Sequence, residues 1–206
     1  MYVLKVMGSF FLQTQGVKSR VKQDLKTLST ELEEVVSTLV PWEQEDLELL
    51  SVTQSKLKKK LGIHTQIAGV ITNVYQEHLI AFAYKDYYYK KKKAILVART
   101  SAHNFYYKIT KKAVDVFRDN IHIGTLMSDG TFFQEDIEIA KIDQSKTLSL
   151  IPISIKNKQV ASLVNPVDAS HEHARALKIV EQLSTDEKEL ILSLSLYELI
   201  SRTLES

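Results

Sequence analysis

The stretch from Ser184 to Leu204 is apolar on almost every face of a helix, and it constrains the fold more than any other part of the chain. It begins with Ser184 followed three residues later by Glu187, which is the pattern of a capping box. A surface helix carries one apolar stripe, whereas a helix that is apolar all round is buried on all sides. Glu198 and Arg202 interrupt the apolar run well short of the roughly 20 residues that a bilayer span needs. We therefore predict a core helix that the rest of the chain surrounds.

Between about Ile63 and Pro166 the apolar residues recur with a period of two, which is typical of β-strands. The dipeptides Asp119-Asn120 and Asp129-Gly130 are typical of hairpin turns. No helical period lies between these limits, so the strands should follow one another as an antiparallel meander. The predicted strands cover residues 66–75, 79–88, 94–100, 105–110, 114–118, 121–126, 131–134, 138–142, 148–155 and 159–164. A sheet of this length must curl into a barrel or split into a sandwich to protect its edges.

A closed sheet would supply the wall that an all-round apolar helix needs. We therefore predict an α+β fold, a closed antiparallel β-barrel around a buried hydrophobic C-terminal helix, with an N-terminal helical appendage. The predicted parts are a tail or apolar anchor at residues 1–16, the helical appendage at 17–60 and the barrel with its central helix at 61–206. A short helix over residues 173–183 is predicted to lead into the central helix.

Residues 17–40 carry an apolar seam with nearly heptad spacing, formed by Val17, Val21, Leu25, Leu28, Leu32, Val35 and Leu39. The seam could pack on the barrel or pair with a partner helix. Three heptads is the lower limit for a coiled coil, so we favour packing on the barrel. The alternative is a homo-oligomer through Val21, Leu25, Leu28, Leu32, Val35 and Leu39. A second helix is predicted from Pro41, which suits a first helical turn, to the basic residues 56–60.

Composition limits the class of protein. The chain has 206 residues, of which 44% are hydrophobic and 25% charged, as in an ordinary globular protein. Its net charge of +2 gives no strong overall field, so an electrostatic partner would need a local patch. The chain has no cysteine, which excludes disulfides, thiol catalysis and cysteine-bound metal. Lys5 splits the first apolar run, so we expect no signal peptide and a cytoplasmic location, with a peripheral position at a membrane as the alternative.

Catalytic motifs are missing from the sequence. It contains neither a G-x-S-x-G elbow nor a glycine-rich phosphate loop, and it lacks an acidic calcium loop. His171 and His173 are two residues apart, so on a helix they would point to different faces, and we expect a loop rather than a metal site. We therefore expect neither an enzyme nor a bound metal or cofactor.

The most conspicuous local feature is a run of tyrosines and lysines, which gives the candidate anion- or lipid-binding residues Lys85, Tyr87, Tyr88, Tyr89, Lys90, Lys91, Lys92 and Lys93. Lysines near an anionic bilayer contribute about 1 kcal/mol each, and tyrosine suits the boundary between water and lipid. The alternative, which we favour, is a solvated hairpin loop whose lysines discourage edge pairing. A single basic patch on a chain of nearly zero net charge does not favour nucleic-acid binding.

Two stretches carry a family resemblance: VDVFRDNIHIGTL at residues 114–126 and DEKELILSLSL at residues 186–196. With the strand pattern between them, they resemble the tubby-like superfamily, which includes the tubby C-terminal domain, the phospholipid scramblases and the plant LURP-one-related proteins. The resemblance covers about residues 62–204 and implies a closed antiparallel barrel threaded by a hydrophobic C-terminal helix. Tubby domains bind phosphoinositides and scramblases are linked to lipids and calcium, but no residues here match either site.

The function expected from all of this is that of a non-catalytic intracellular binding or scaffold protein. Its partner would be another protein or an anionic membrane surface. Peripheral membrane binding through the tyrosine- and lysine-rich loop, or oligomerisation through the N-terminal seam, are the alternatives.

Overall fold

The computed structural model describes residues 18–41, 44–60, 65–87, 93–145, 147–167 and 174–205. Helix α1 spans Lys18–Val36, a short 3-10 helix spans Gln44–Leu49 and helix α2 spans Thr185–Glu205. The strands between the helices are β1 (Leu50–Lys60), β2 (Gln66–Asn73), β3 (His78–Asp86), β4 (Lys93–Arg99), β5 (Asn104–Thr110), β6 (Ala113–Arg118), β7 (Ile121–Met127), β8 (Thr131–Gln134), β9 (Ile137–Ile142), β10 (Leu150–Ile155), β11 (Lys158–Val164) and β12 (Leu177–Ile179).

The strands form one antiparallel sheet in which each strand pairs with its neighbours in the chain, from β1 through to β12. The sheet curls back on itself where the residues before β12 meet the start of β1. The Val52 amide donates to the Ala174 carbonyl at 2.9 Å, and the Ala176 amide donates to the Leu50 carbonyl at 2.6 Å. The result is a nearly closed barrel with one helix at each terminus, so the predicted α+β fold is confirmed.

Helix α2 fills the barrel. Apolar residues on several of its faces are completely buried, namely Ile191, Leu194, Leu196, Leu199 and Ile200. The predicted capping box is also present, because the Ser184 amide donates to Glu187 Oε2 at 2.9 Å and the Glu187 amide donates to Ser184 Oγ at 3.4 Å. A helix that is apolar all round is therefore stable here because the sheet surrounds it. The prediction of a core helix is confirmed. None of the helices in the described ranges is both long enough and apolar enough to cross a membrane.

All ten strands predicted from the period of two are present, with bounds that differ by no more than two residues. Two predicted helices are wrong. Residues 50–60 form β1, and residues 177–179 form β12, where the sequence suggested helix. In both cases the sheet overrides local preference, since Leu50 and Val52 become buried on the barrel wall and β12 pairs with β11. The barrel therefore begins at Leu50, inside the predicted helical appendage of residues 17–60.

Helix α1 lies on the outer face of the barrel. Its seam residues Leu25, Leu28 and Leu32 are fully buried there, against a surface formed by Ala68, Ala81, Ala83, Ile95, Val97 and Phe117. The alanines let the helix approach the sheet closely. Val35 and Leu39 pack partly against the same cluster, and the side chain of Val21 lies outside the described part of the chain. The seam is thus occupied within the chain, as we favoured. Oligomerisation through it stays a prediction and would require α1 to leave the barrel.

The barrel has two distinct ends. Helix α2 begins at the end where β4 and β6 finish. It ends at the opposite end, where β3, β5 and β7 finish and where β4, β6 and β8 begin. We name these the helix-start end and the helix-exit end. Helix α1 starts near the helix-exit end, where Asp24 contacts Lys85 near the end of β3. The chain just after α1 reaches the helix-start end, where the Val40 amide donates to the His78 carbonyl.

Candidate functional site

A cleft of about 720 Å³ opens at the helix-exit end of the barrel. Its walls come from the ends of β3, β5 and β7, the starts of β2, β4 and β6, and the last turns of α2. Small-molecule sites in proteins typically have volumes of about 300–1,000 Å³. The cleft therefore has the size and the position, inside the mouth of a barrel, that such sites favour.

The inner part of the cleft is apolar. Alternate residues of the strands point inward, and this places Ile67, Ala94, Val114 and Leu126 at the floor, each at most 5% exposed. Ile109, Met127 and Leu204 continue this surface outward. Tyr84 and Tyr197 add two half-buried rings, and the Tyr197 ring stacks on Tyr107 with their centroids 5.9 Å apart.

The rim of the cleft is polar. Lys93 and Lys111 are exposed there, and neither ammonium group forms an ion pair with a carboxylate of the described residues. Asp86 is the acidic residue of the lining, and its Oδ1 accepts the Thr65 amide at 2.8 Å. The rim therefore presents two ammonium groups and one carboxylate that is already hydrogen-bonded to the backbone.

Buried charges hold one side of the cleft in place. Glu198 is 2% exposed and accepts from Arg202 Nε at 2.8 Å and from Gln144 Nε2 at 2.8 Å. Arg202 also donates to the Ser145 carbonyl at 3.1 Å. These bonds attach the connection after β9, including the cleft residue Gln144, to α2. A buried charge needs such partners, because removing one of them leaves the other charge unpaired.

The structure separates the predicted site residues into three groups. Lys85 and Tyr87 converge on one carboxylate of α1: Lys85 Nζ lies 2.6 Å from Asp24 Oδ1, and the Tyr87 hydroxyl donates to Asp24 Oδ2 at 2.6 Å. Lys93 lies on the rim of the cleft, and Tyr87 is also part of the lining. The third group, Tyr88, Tyr89, Lys90, Lys91 and Lys92, lies outside the described residues.

Sequence reasoning missed Asp24 and Lys111. Asp24 precedes the seam residue Leu25 and is 9% exposed, so its position beside the seam was the available signal for a buried charge. Lys111 lies in the tight turn between β5 and β6, and its neighbour Thr110 pairs with Lys93 in the β4–β5 hairpin. The available signal was the pair of consecutive predicted strands 94–100 and 105–110, because antiparallel neighbours place the end of one beside the start of the other.

A second cluster of ionisable groups lies at the helix-start end. His103 Nδ1 is 2.6 Å from Asp119 Oδ2, and His103 Nε2 is 4.0 Å from Glu189 Oε1. Arg118 contacts the other carboxylate oxygen of Glu189. Both ring nitrogens of His103 thus face carboxylates, and the network connects the β4–β5 and β6–β7 turns to the first turns of α2. These contacts attach the start of α2 to the barrel, which accounts for the cluster as a structural feature.

The described residues contain no group of three or more histidine, aspartate or glutamate side chains arranged to hold a metal ion. The motif His171-Glu172-His173 lies outside them. Comparison of the chain with protein-family models, with curated proteins and with solved structures found no match. Membership of the tubby-like superfamily therefore stays a prediction.

Proposed function

We propose that this chain is a non-catalytic binding protein whose binding site is the cleft at the helix-exit end of the barrel. The observation that carries the proposal is the combination of an apolar floor with a polar rim inside one mouth of the barrel. Barrel mouths and concave apolar sites with a few convergent polar groups are typical places for small ligands. The central helix fills the rest of the barrel, so this mouth is where a ligand gains both enclosure and access.

Binding fits the cleft better than catalysis does. A general acid or base at neutral pH is most often histidine, and none of the described residues lining the cleft is a histidine. The carboxylate of Asp86 is already bonded to the backbone of Thr65. Tyr84 and Tyr197 supply large amphipathic surfaces, which are useful for recognition.

A blocking substitution tests the proposal. Ser201 is half-buried on α2 and lines the cleft, so Ser201→Phe should place a ring in the cleft. Ala102→Phe is the matched control, because Ala102 is exposed in a turn at the helix-start end. The probe is anilinonaphthalene sulfonate, whose fluorescence rises in apolar surroundings. The unaltered protein and Ala102→Phe should bind it saturably, whereas Ser201→Phe should lose most of the signal.

Stability must be checked in the same experiment. Circular dichroism and thermal unfolding should show that both variants keep the native fold. Equal probe binding by a folded Ser201→Phe variant and by the unaltered protein would show that the cleft is not the binding site.

A second candidate function is peripheral binding to an anionic membrane surface. The specific observation is that Lys93 and Lys111 lie on one rim, with Lys112 exposed beside them. Lys90, Lys91 and Lys92 precede Lys93 in the sequence. Lysines on a surface attract anionic lipid with a strength that falls as salt rises. Co-sedimentation with neutral and anionic vesicles at low and high salt tests this, and binding unchanged by Lys93→Gln with Lys111→Gln would exclude this rim.

Family and location remain proposals of the same kind. Support for the tubby-like superfamily comes from an antiparallel barrel in chain order around a hydrophobic C-terminal helix. Support for the cytoplasm comes from a chain of 206 residues without a cysteine, since proteins of oxidising compartments often rely on disulfides. Fractionation of cells expressing the tagged full chain would test the location.

A further inference from the structure

We infer that the cleft takes a single-chain amphiphile with an acidic head group, such as an alkyl carboxylate or an alkyl phosphate. The inference rests on the proposed function, because it assigns a ligand class to the same cleft. It depends on three features of the cleft: the position of its apolar surface, its volume, and the charged residues on its rim.

The apolar surface lies inside and the charges lie outside. Ile67, Val114 and Leu126 at the floor are almost completely buried, while Lys93 and Lys111 on the rim are exposed. Met127, at 38% exposed, and Leu204 connect the two levels. A ligand with an apolar chain at one end and a polar group at the other would match this gradient, since its chain leaves water while its head stays hydrated.

The volume limits how much of a ligand enters. A cleft of about 720 Å³ falls in the range of sites that enclose one drug-sized molecule. That space is large enough to take a single alkyl chain. Parts of the wall are held by the rest of the fold, because the middle of α2 is buried in the barrel and the connection after β9 is attached to Glu198 through Gln144. Wall segments held in this way need less ordering when a ligand binds, which reduces the cost of binding.

The charges on the rim select the head group. Lys93 and Lys111 give two positive charges, and Asp86 gives one negative charge whose Oδ1 accepts the Thr65 amide. A carboxylate or phosphate head would be attracted by the two ammonium groups. An ammonium head would be repelled by them, and a neutral head would gain little from the rim.

The experiment compares ligands that share one chain and differ in the head. Dodecanoate, dodecyl phosphate, dodecanol and dodecylammonium are titrated below their micelle concentrations against the full chain, by displacement of anilinonaphthalene sulfonate. We expect the two anionic ligands to bind more tightly than dodecanol, and dodecylammonium to bind most weakly. If the order of the anionic and cationic ligands is reversed, the inference is wrong.

Paired variants separate the head from the chain. Lys93→Gln with Lys111→Gln should weaken dodecanoate binding about three- to tenfold, because partly exposed charge pairs are individually weak. Dodecanol binding should stay the same. Lys158→Gln with Lys178→Gln is the matched control, since both lysines are exposed outside the lining and the net charge changes equally. An equal loss of dodecanoate binding in both double variants would overturn the assignment of the head group.

The outcomes distinguish the ligand class from the binding function. If all four ligands bind equally and Ser201→Phe abolishes all of them, the cleft binds apolar molecules and the acidic-head inference is wrong. If none binds, the proposed function fails as well. Vesicles with anionic lipid give the remaining comparison. Suppose that vesicle binding needs Lys93 and Lys111 but is unchanged by Ser201→Phe, and that free dodecanoate does not bind. The rim would then be a membrane-binding surface and the cleft would not be a ligand site.

Discussion

The hydroxyl of Tyr87 donates a 2.6 Å hydrogen bond to the carboxylate of Asp24, and this bond joins helix α1 to the wall of the cleft. Lys85 Nζ lies 2.6 Å from the other oxygen of the same carboxylate. Asp24 therefore has a positive and a neutral donor on the barrel, and it is almost completely buried between them. The docking of α1 and the shape of the cleft are physically connected through this residue.

Asp24→Ala should destabilise the protein and weaken ligand binding in the cleft. The substitution removes the carboxylate that pairs with Lys85, and the Lys85 side chain is only 17% exposed. Leaving a largely buried donor without its acceptor lowers the free energy of unfolding by about 1–3 kcal/mol. The Tyr87 hydroxyl also loses its hydrogen bond to Asp24. Urea unfolding and probe titration measure the two effects. Glu181→Ala is the control, because its partner Lys158 is 66% exposed and the pair should contribute less than about 1 kcal/mol. Equal effects of the two substitutions would contradict this account.

Leu194→Asp should prevent folding. Leu194 lies on α2 at the centre of the barrel and is completely buried, so the aspartate would be an unpaired charge in an apolar interior. Thr185→Asp, exposed in the first turn of the same helix, should fold normally. Circular dichroism with thermal unfolding compares the two. A soluble Leu194→Asp variant that unfolds cooperatively would show that the barrel does not depend on the helix as its core.

Two buried serines on α2 should differ in their response to substitution by alanine. Ser195 Oγ is buried with no hydrogen-bond partner among the described residues, whereas Ser193 Oγ donates to the Glu189 carbonyl at 2.8 Å. Ser195→Ala should stabilise the protein by about 1 kcal/mol, since it removes an unsatisfied hydroxyl and alanine favours a helix. Ser193→Ala loses a bond and should be less stable than Ser195→Ala. If urea unfolding ranks them the other way, the packing around Ser195 differs from our description.

The strands and the core helix were predictable because their signals are local. A period of two marks the buried face of each strand, and the cap formed by Ser184 and Glu187 marks the start of α2. The strands at the closure of the barrel were not predictable in the same way. Leu50 accepts a hydrogen bond from Ala176, so each of these segments becomes a strand only when a distant part of the chain is in place.

The candidate cleft could be predicted only in part. Lys93 and Tyr87 belong to the run of tyrosines and lysines that the sequence made conspicuous. From the sequence, the floor residues Val114 and Leu126 could be predicted only to be buried in the core. The sequence does not indicate which end of the barrel has a cleft. Nor does it say that Tyr87 faces Asp24 across 63 positions of the chain. These relationships come from the register of the sheet and the direction of α1.

The free energy of unfolding should fall at alkaline pH because of the buried Tyr107 hydroxyl. Burial raises the pKa of the Tyr107 hydroxyl well above its usual value of about 10. Above that usual value the unfolded chain loses the proton while the folded protein keeps it, so unfolding is favoured by up to about 1.4 kcal/mol per pH unit. The hydroxyl donates to the Ser193 carbonyl at 2.8 Å, so Tyr107→Phe should cost about 0.5–1.5 kcal/mol at neutral pH.

The same substitution should make the loss of stability above about pH 10 less steep, because phenylalanine has no proton to release. Urea unfolding of both proteins at neutral and alkaline pH measures the difference in slope. Identical alkaline slopes would show that the Tyr107 hydroxyl is not held neutral by burial.

Methyl NMR of Met127 tests the central claim most directly. The chain has three methionines, and Met127, the one among the described residues, lines the cleft. With ¹³C-methyl methionine in the full chain, and Met127→Leu to assign the signal, dodecanoate should shift the Met127 resonance saturably, and Ser201→Phe should abolish that shift. A Met127 signal that stays unchanged while dodecanoate binds the protein would show that the ligand site is elsewhere and would contradict the account.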